Sequence, residues 1–195
     1  MAGAIFVDRD GVICENRDDY VKSWEEFRFI PGAAEALAAL TTSGLRLFVV
    51  TNQSAISRGI VTRDAIDDMH ARMLDVLRAA GARVEAVLVC PHSPEDSCAC
   101  RKPSEGLLLD AAKQYGVELA ESWMIGDAES DVVAGKRAGC ETVLVLTGRG
   151  ATQARSARWL DGKPDLVAHD LVDAAIWVLA RVAERTRAMM EVIRP

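Results

Sequence analysis

Five short apolar runs, separated by stretches of helical periodicity, constrain this chain more than any other feature. Ala4–Val7, Leu45–Val50, Val84–Val89, Trp123–Ile125 and Thr142–Leu146 each read as a strand. Helical stretches lie between them: from Pro31-Gly32 through Leu40, from a Thr62 cap to Ala80, over Glu105–Tyr115 and over Glu129–Ala138. Gly81 and Gly139 supply stops. Strands spaced by helices imply βαβ units and a mostly parallel sheet whose strands are buried on both faces. The expected class is α/β, a Rossmann-like three-layer α/β/α arrangement with a mostly parallel central sheet. Ligands of such sheets bind outside the carboxyl ends of the strands. Asp8, Asp10, Thr51, Cys90 and Asp127 all fall at those ends, so separate segments deliver polar groups to one edge.

Ala151–Pro164 reads as the loosest stretch. From Leu171 a final helix is expected, with Ile176, Trp177, Leu179 and Val182 on its apolar side, either packing on the body or forming a dimer contact. The 195 residues fit a single domain, 1–195. A net charge of −6 without a basic tract argues against a nucleic-acid partner. No apolar run approaches the roughly 20 residues that span a bilayer, and no secretion signal is evident, so a cytoplasmic location is expected. Five cysteines, three of them between Cys90 and Cys100, suggest metal binding before disulfides.

The chemistry centres on Asp8-Arg9-Asp10-Gly11, directly after the first strand. Gly11 lets the chain turn, so that one carboxylate can attack phosphorus while the other handles the leaving-group proton. A carboxylate approaching a phosphate dianion needs its charge offset by a metal, a lysine and hydrogen-bond donors. Thr51-Asn52-Gln53-Ser54 comes after the second strand and can donate to phosphate oxygens. Lys102 stands in Cys100-Arg101-Lys102-Pro103. Asp127 stands in Gly126-Asp127-Ala128-Glu129-Ser130-Asp131 and can join Asp8 and the Asp10 carbonyl around Mg²⁺, a hard ion that prefers oxygen.

These four segments, Phe6–Ile13, Val50–Ser54, Arg101–Pro103 and Ile125–Asp127, resemble in order and spacing the signature motifs of the haloacid dehalogenase superfamily, up to about Gly150. The resemblance implies Asp8 as nucleophile and Asp10 as general acid and base. It implies Thr51 and Lys102 as holders of the phosphoryl group and Asp127 as a Mg²⁺ ligand. Asp131 would orient Lys102 or a metal-bound water.

Cys90-Pro91-His92 and Cys98-Ala99-Cys100 place three thiols and an imidazole within eleven residues, the donor set of a closed, structural zinc site in a loop over 90–101. Cys14 and Cys140 read as ordinary buried residues. The zinc loop, Asp-Arg-Asp-Gly and Thr-Asn-Gln-Ser resemble the subgroup that contains heptose bisphosphate phosphatases and histidinol-phosphate phosphatases, and the shortness of the loop is a feature shared with the latter. Tyr20-Val21, Phe29–Gly32, Ser54–Gly59 and Thr147-Gly148 are more similar to the heptose enzymes, which remove a C7 phosphate in nucleotide-activated heptose synthesis. Ala128 stands where some of those enzymes carry lysine.

About twenty residues separate Asp10 from Gly32, too few for an inserted cap domain. Substrate selection then falls to loops carrying Asn16, Tyr20, Ser54 and Arg58, with Asn52 and Gln53 beside them, and to Arg101 as partner for a second anionic group. The expected partner is a small phosphorylated sugar, with no membrane or nucleic acid, and a monomer or weak homodimer. Two rivals stay open. A histidinol-phosphate phosphatase would use Asp18 and Asp19 to receive an amine. A zinc-stabilised binding module would not be catalytic at all.

Overall fold

The computed structural model describes residues 3–159 and 162–193. Its elements run β1 (Ala4–Val7), α1 (Ala33–Thr41), β2 (Arg46–Asn52), α2 (Arg63–Ala79), β3 (Val84–Cys90), α3 (Gly106–Tyr115), β4 (Trp123–Gly126), α4 (Glu129–Ala138), β5 (Glu141–Val145), α5 (Gly150–Ser156), β6 (Leu166–Ala168) and α6 (Leu171–Ile193). All six strands are parallel in the order β3-β2-β1-β4-β5-β6. Successive strand residues point to opposite faces, and β1 divides accordingly. Ile5 and Val7 join a core with α1, α2 and α6, while Ala4 and Phe6 join a second core with α3 and α4. Phe6 stacks on its register partner Phe48 with centroids 5.3 Å apart. Burial on both faces explains why these runs are apolar throughout rather than alternating.

The expected three-layer class is therefore what the chain adopts, with four corrections of detail. β2 and β3 run on to Asn52 and Cys90, so Thr51 and Cys90 lie in strands rather than past them. β3 is an edge strand and stays half-exposed from Val87 to Val89, because no strand among the described residues covers its outer side. The loose stretch Ala151–Pro164 holds most of α5, and β6 comes after it, too short for its period to be read; residues 160 and 161 lie outside the described residues. On α6 the buried face is Leu171, Ala174, Ala175 and Val178, a clean i, i+3, i+4, i+7 set. Ile176 points outward and is 64% exposed. Thr62 caps α2 as expected, accepting from the Ala65 amide at 3.2 Å.

Between β1 and α1, among the described residues, there is no cap domain. The chain makes short bridges from Cys14 to Asp10 and Phe29, and a single 3-10 turn at Trp24–Glu26. Trp24, Phe27 and Phe29 pack together over it, with centroids 5.0–6.3 Å apart. No helix among the described residues is long and apolar enough to cross a membrane.

Candidate active site and metal centres

At the carboxyl edge of the sheet lies an open cavity of about 430 Å³. Asp8, Asp10, Asn16, Tyr20, Thr51, Asn52, Gln53, Ser54, Arg58, Arg101, Lys102, Asp127 and Asp131 all line it, so the strand ends bring together every cavity residue expected from the sequence.

Lys102 is the hub. It is 3% exposed, and its Nζ reaches Asp8 Oδ1 at 2.8 Å, Asp131 Oδ1 at 2.6 Å and the Val50 carbonyl at 2.7 Å. Burial works against its ammonium, but Asp131 and Asp8 outweigh it and push its pKa upward. Its backbone is held from β2: Asn52 Oδ1 accepts from the Lys102 amide at 3.1 Å, and Asn52 Nδ2 donates to the Lys102 carbonyl at 3.0 Å. Asn52 thus grips the lysine loop, a different task from the substrate contact expected of it.

Carboxylate oxygens of Asp8, Asp127 and Asp131 lie within 4.8 Å of one another. Burial, opposed by Lys102, pushes the Asp8 carboxyl up to about 8. Burial and then Asp131 push Asp127 up to about 7. One lysine does not balance three buried acids, and a divalent cation would. The donors are all oxygen, which suits Mg²⁺. Asp8 and Asp127 are the side chains to hold it, with Asp131 already paired to Lys102. The Asp10 carboxylate is directed elsewhere, which leaves only its carbonyl for the ligand role expected of that residue. Asp127 Oδ2 accepts from the Arg149 amide at 2.8 Å. Gly11 and Gly148 flank that carboxylate, both at positive φ, and a Cβ on either would collide with it.

The Asp10 carboxylate meets a group that the sequence reading does not single out. Arg9 is 1% exposed and grips Asp10 with two donors, Nη2 to Oδ1 at 2.7 Å and Nε to Oδ2 at 3.1 Å. Gln53 Nε2 donates to Asp10 Oδ2 at 2.8 Å and to Thr51 Oγ1 at 2.7 Å. Gln53, expected to touch substrate, is largely buried at the cavity wall and orders the acid. Burial raises the Asp10 pKa, but Arg9 and Gln53 outweigh it and hold the carboxyl below its ordinary value. No sequence signal distinguishes Arg9 from a solvated arginine, since its burial depends on partners far along the chain. Arg149 is a second addition; it lies past a strand end, and that rule could have found it.

At the rim, Ser54 Oγ lies 3.4 Å from the Tyr20 hydroxyl, and Arg58 lies 3.7 Å from Glu95. Arg101 donates to the His92 carbonyl at 3.0 Å, using one of its five donors.

Cys90, His92, Cys98 and Cys100 cluster as expected. Their sulfurs are 3.2–3.6 Å apart, and His92 Nδ1 is 3.3 Å from Cys100 Sγ and 3.7 Å from Cys90 Sγ. A tetrahedral ion bonded to sulfur at about 2.3 Å separates its ligands by roughly 3.7 Å, so the set can close on zinc with small adjustments. No disulfide links them. Although burial resists, hydrogen bonds from Cys100 and Cys90 draw the Cys98 thiol down to about 7. The cluster is tied to the cavity, since Cys90 pairs with Asn52 and its carbonyl accepts from the Gln53 amide at 2.7 Å. Freshly purified, unchelated protein is expected to carry about one equivalent of zinc, and Cys98→Ser to lower activity indirectly, by loosening the loop that carries Lys102. Elemental analysis finding no zinc in such protein refutes the site.

A family model described as haloacid dehalogenase-like hydrolase matches residues 5–71, and one described as HAD-hydrolase-like matches residues 99–174. A curated D-glycero-beta-D-manno-heptose-1,7-bisphosphate 7-phosphatase from Pseudomonas aeruginosa is 41% identical over 75% of this chain and 82% of its own length. The chain belongs to the haloacid dehalogenase-like hydrolases. Within that family, the enzyme of the same description from Rhodopseudomonas palustris is 43% identical over 70% of this chain and 79% of its own length. The crystal structure of D,D-heptose 1,7-bisphosphate phosphatase from B. bronchiseptica, complexed with magnesium and phosphate, superposes with a TM-score of 0.86. It shares 36% identity and covers 92% of this chain and 99% of that one.

Proposed function

We propose that this chain is a phosphatase that removes the C7 phosphate of D-glycero-D-manno-heptose 1,7-bisphosphate through an aspartyl-phosphate on Asp8. The observation that carries the reading is the 2.8 Å contact between Asp8 and Lys102 at the edge of β1, a carboxylate with a cation beside it in an open, oxygen-rich cavity. The sugar is inferred from the relatives, which share one description over most of the chain. Mg²⁺, held by Asp8, Asp127 and the Asp10 carbonyl, would neutralise the phosphate and hold it in line. Asp8 attacks phosphorus, the bond to the C7 oxygen breaks, and Asp10 gives that oxygen the proton it took from water in the preceding turnover. Lys102 and Thr51 hold the phosphoryl oxygens. Water then attacks the phosphorus, Asp10 takes its proton, and Asp8 is released. With no cap among the described residues, water reaches the phosphoenzyme directly, which favours hydrolysis over transfer.

The histidinol-phosphate alternative loses its motivation. Asp19 is drawn to Lys22 and Arg17, whose hydrogen bonds pull it down to about 2, and neither Asp18 nor Asp19 lines the cavity. A cavity open at the rim gives little enclosure, so the second phosphate needs its own cation. Arg101 sits next to Lys102, with Arg58 and Arg149 also lining the cavity. Remote binding energy of this kind positions the reacting end. Arg101→Ala is therefore expected to lower kcat/KM on the bisphosphate at least about tenfold more than on an aryl monophosphate. Phosphate release from heptose bisphosphate, histidinol phosphate and p-nitrophenyl phosphate tests both points. Preference for histidinol phosphate overturns the substrate, and equal losses in the variant overturn the role of Arg101.

A further inference from the structure

Helix α2 buries Ile66, Met69, Met73 and Leu77 against the sheet. On the same apolar face sits one imidazole, His70, only 5% exposed. Its Nε2 lies 2.9 Å from Arg9 Nη1. An arginine has donors only, so Nε2 must be the acceptor and the ring must be neutral with its proton on Nδ1. Burial and the adjacent guanidinium both hold the ring's pKa down, to about 3, so this tautomer persists across the working range of pH.

The contact completes a chain of three groups. His70 accepts from one guanidinium nitrogen, and the other two nitrogens fork onto the two Asp10 oxygens. Met69 Sδ flanks the same Nη1 at 3.9 Å. A fork fixes the plane and the rotation of a carboxylate, provided the guanidinium cannot itself rotate. Arg9 leaves β1 without reaching solvent, so its rotation is stopped by its third contact, supplied by α2.

We propose that His70 is a positioning residue for the proton-transfer step: through Arg9 it fixes the Asp10 carboxylate in the orientation that serves the leaving group. His70 touches neither substrate nor metal ligand and acts only through Arg9. The inference rests on the proposed role of Asp10 as acid and base. Without an acceptor at position 70, the buried Nη1 keeps only the weak Met69 sulfur contact at 3.9 Å, and the guanidinium shifts toward a better acceptor. The carboxylate shifts with it, and displacements near 1 Å can cost about 10²-fold in rate.

The test uses leaving-group chemistry. Departure of a sugar alkoxide needs a proton, whereas departure of p-nitrophenolate does not. The ratio kcat/KM reports the steps through phosphorylation of Asp8, so it isolates leaving-group departure from later hydrolysis. His70→Leu is expected to lower kcat/KM on the sugar phosphate about tenfold or more, and on p-nitrophenyl phosphate less than about threefold. His70→Gln offers an amide oxygen to Nη1 and is expected to recover most of the loss. Should His70→Leu fail to fold, His70→Phe removes the acceptor while filling the space with a ring. Equal loss on both substrates, or no rescue by glutamine, overturns the proposal. Asp10→Asn serves as the reference. If it shows the leaving-group dependence and the His70 variants do not, only the positioning role fails. If Asp10→Asn itself lacks the dependence, the acid–base reading of Asp10 fails.

Discussion

Asp8→Asn is expected to lower turnover by roughly 10⁴-fold or more while leaving the fold and the zinc content unchanged, because it replaces an oxygen of the proposed nucleophile. The side chain sits at the end of a strand packed on both faces, and an amide fills the same space. The substitution also suits a site where burial and then the neighbouring acids disfavour the charged form, pushing the Asp8 carboxyl up to about 8. Any loss of stability should therefore be small against the loss of rate. Phosphate release and circular dichroism on one preparation check this. Turnover within a few-fold of wild type contradicts the assignment.

Lys102→Met is expected to damage both rate and stability. Lys102 is the positive member of a buried cluster with Asp8 and Asp131, 2.8 and 2.6 Å away. Removing one partner of a buried ion pair strands the others and costs about 3–5 kcal/mol. For a domain of this length each kcal/mol lowers Tm by about 2–4 °C, so a fall of roughly 10 °C should appear in calorimetry. The rate should fall at least about 10²–10³-fold, the usual loss when a donor to developing charge is removed. A variant with wild-type Tm and turnover shows that the lysine is ornamental to both.

Much of the fold is readable in the chain because parallel sheets write themselves plainly. A strand buried on both faces is an unbroken apolar run, and the residue just past its carboxyl end faces the ligand edge. That rule finds Asp8 and Asp127, Thr51 falls inside the end of β2 at the same edge, and the motif resemblance finds Lys102. The zinc cluster is readable for a different reason, since four soft donors in eleven residues have few other uses. Very short elements are not readable. β6 is three residues long and pairs only with β5, so its pattern carries no period. Hydrophobicity alone assigns Ile176 inward, while small residues at Ala174 and Ala175 let α6 approach the body and turn Ile176 out. Asn52 and Gln53 carry positioning contacts that the sequence does not announce, beside the substrate contact expected of them. Both are polar residues at a ligand edge, and sequence cannot say whether such a side chain faces substrate or the protein. Here Asn52 holds the Lys102 backbone and Gln53 holds Asp10. Arg9 and His70 are invisible in the sequence because the contact that buries them together joins positions sixty-one apart.

The covalent step is open to direct observation. Enzyme mixed with the bisphosphate and Mg²⁺, quenched in acid within the first turnover and digested, should yield the peptide carrying Asp8 with one phosphoryl group attached. The same peptide should be unmodified in Asp8→Asn. A burst of free phosphate from wild-type enzyme, with the Asp8 peptide unmodified at every quench time, contradicts the account.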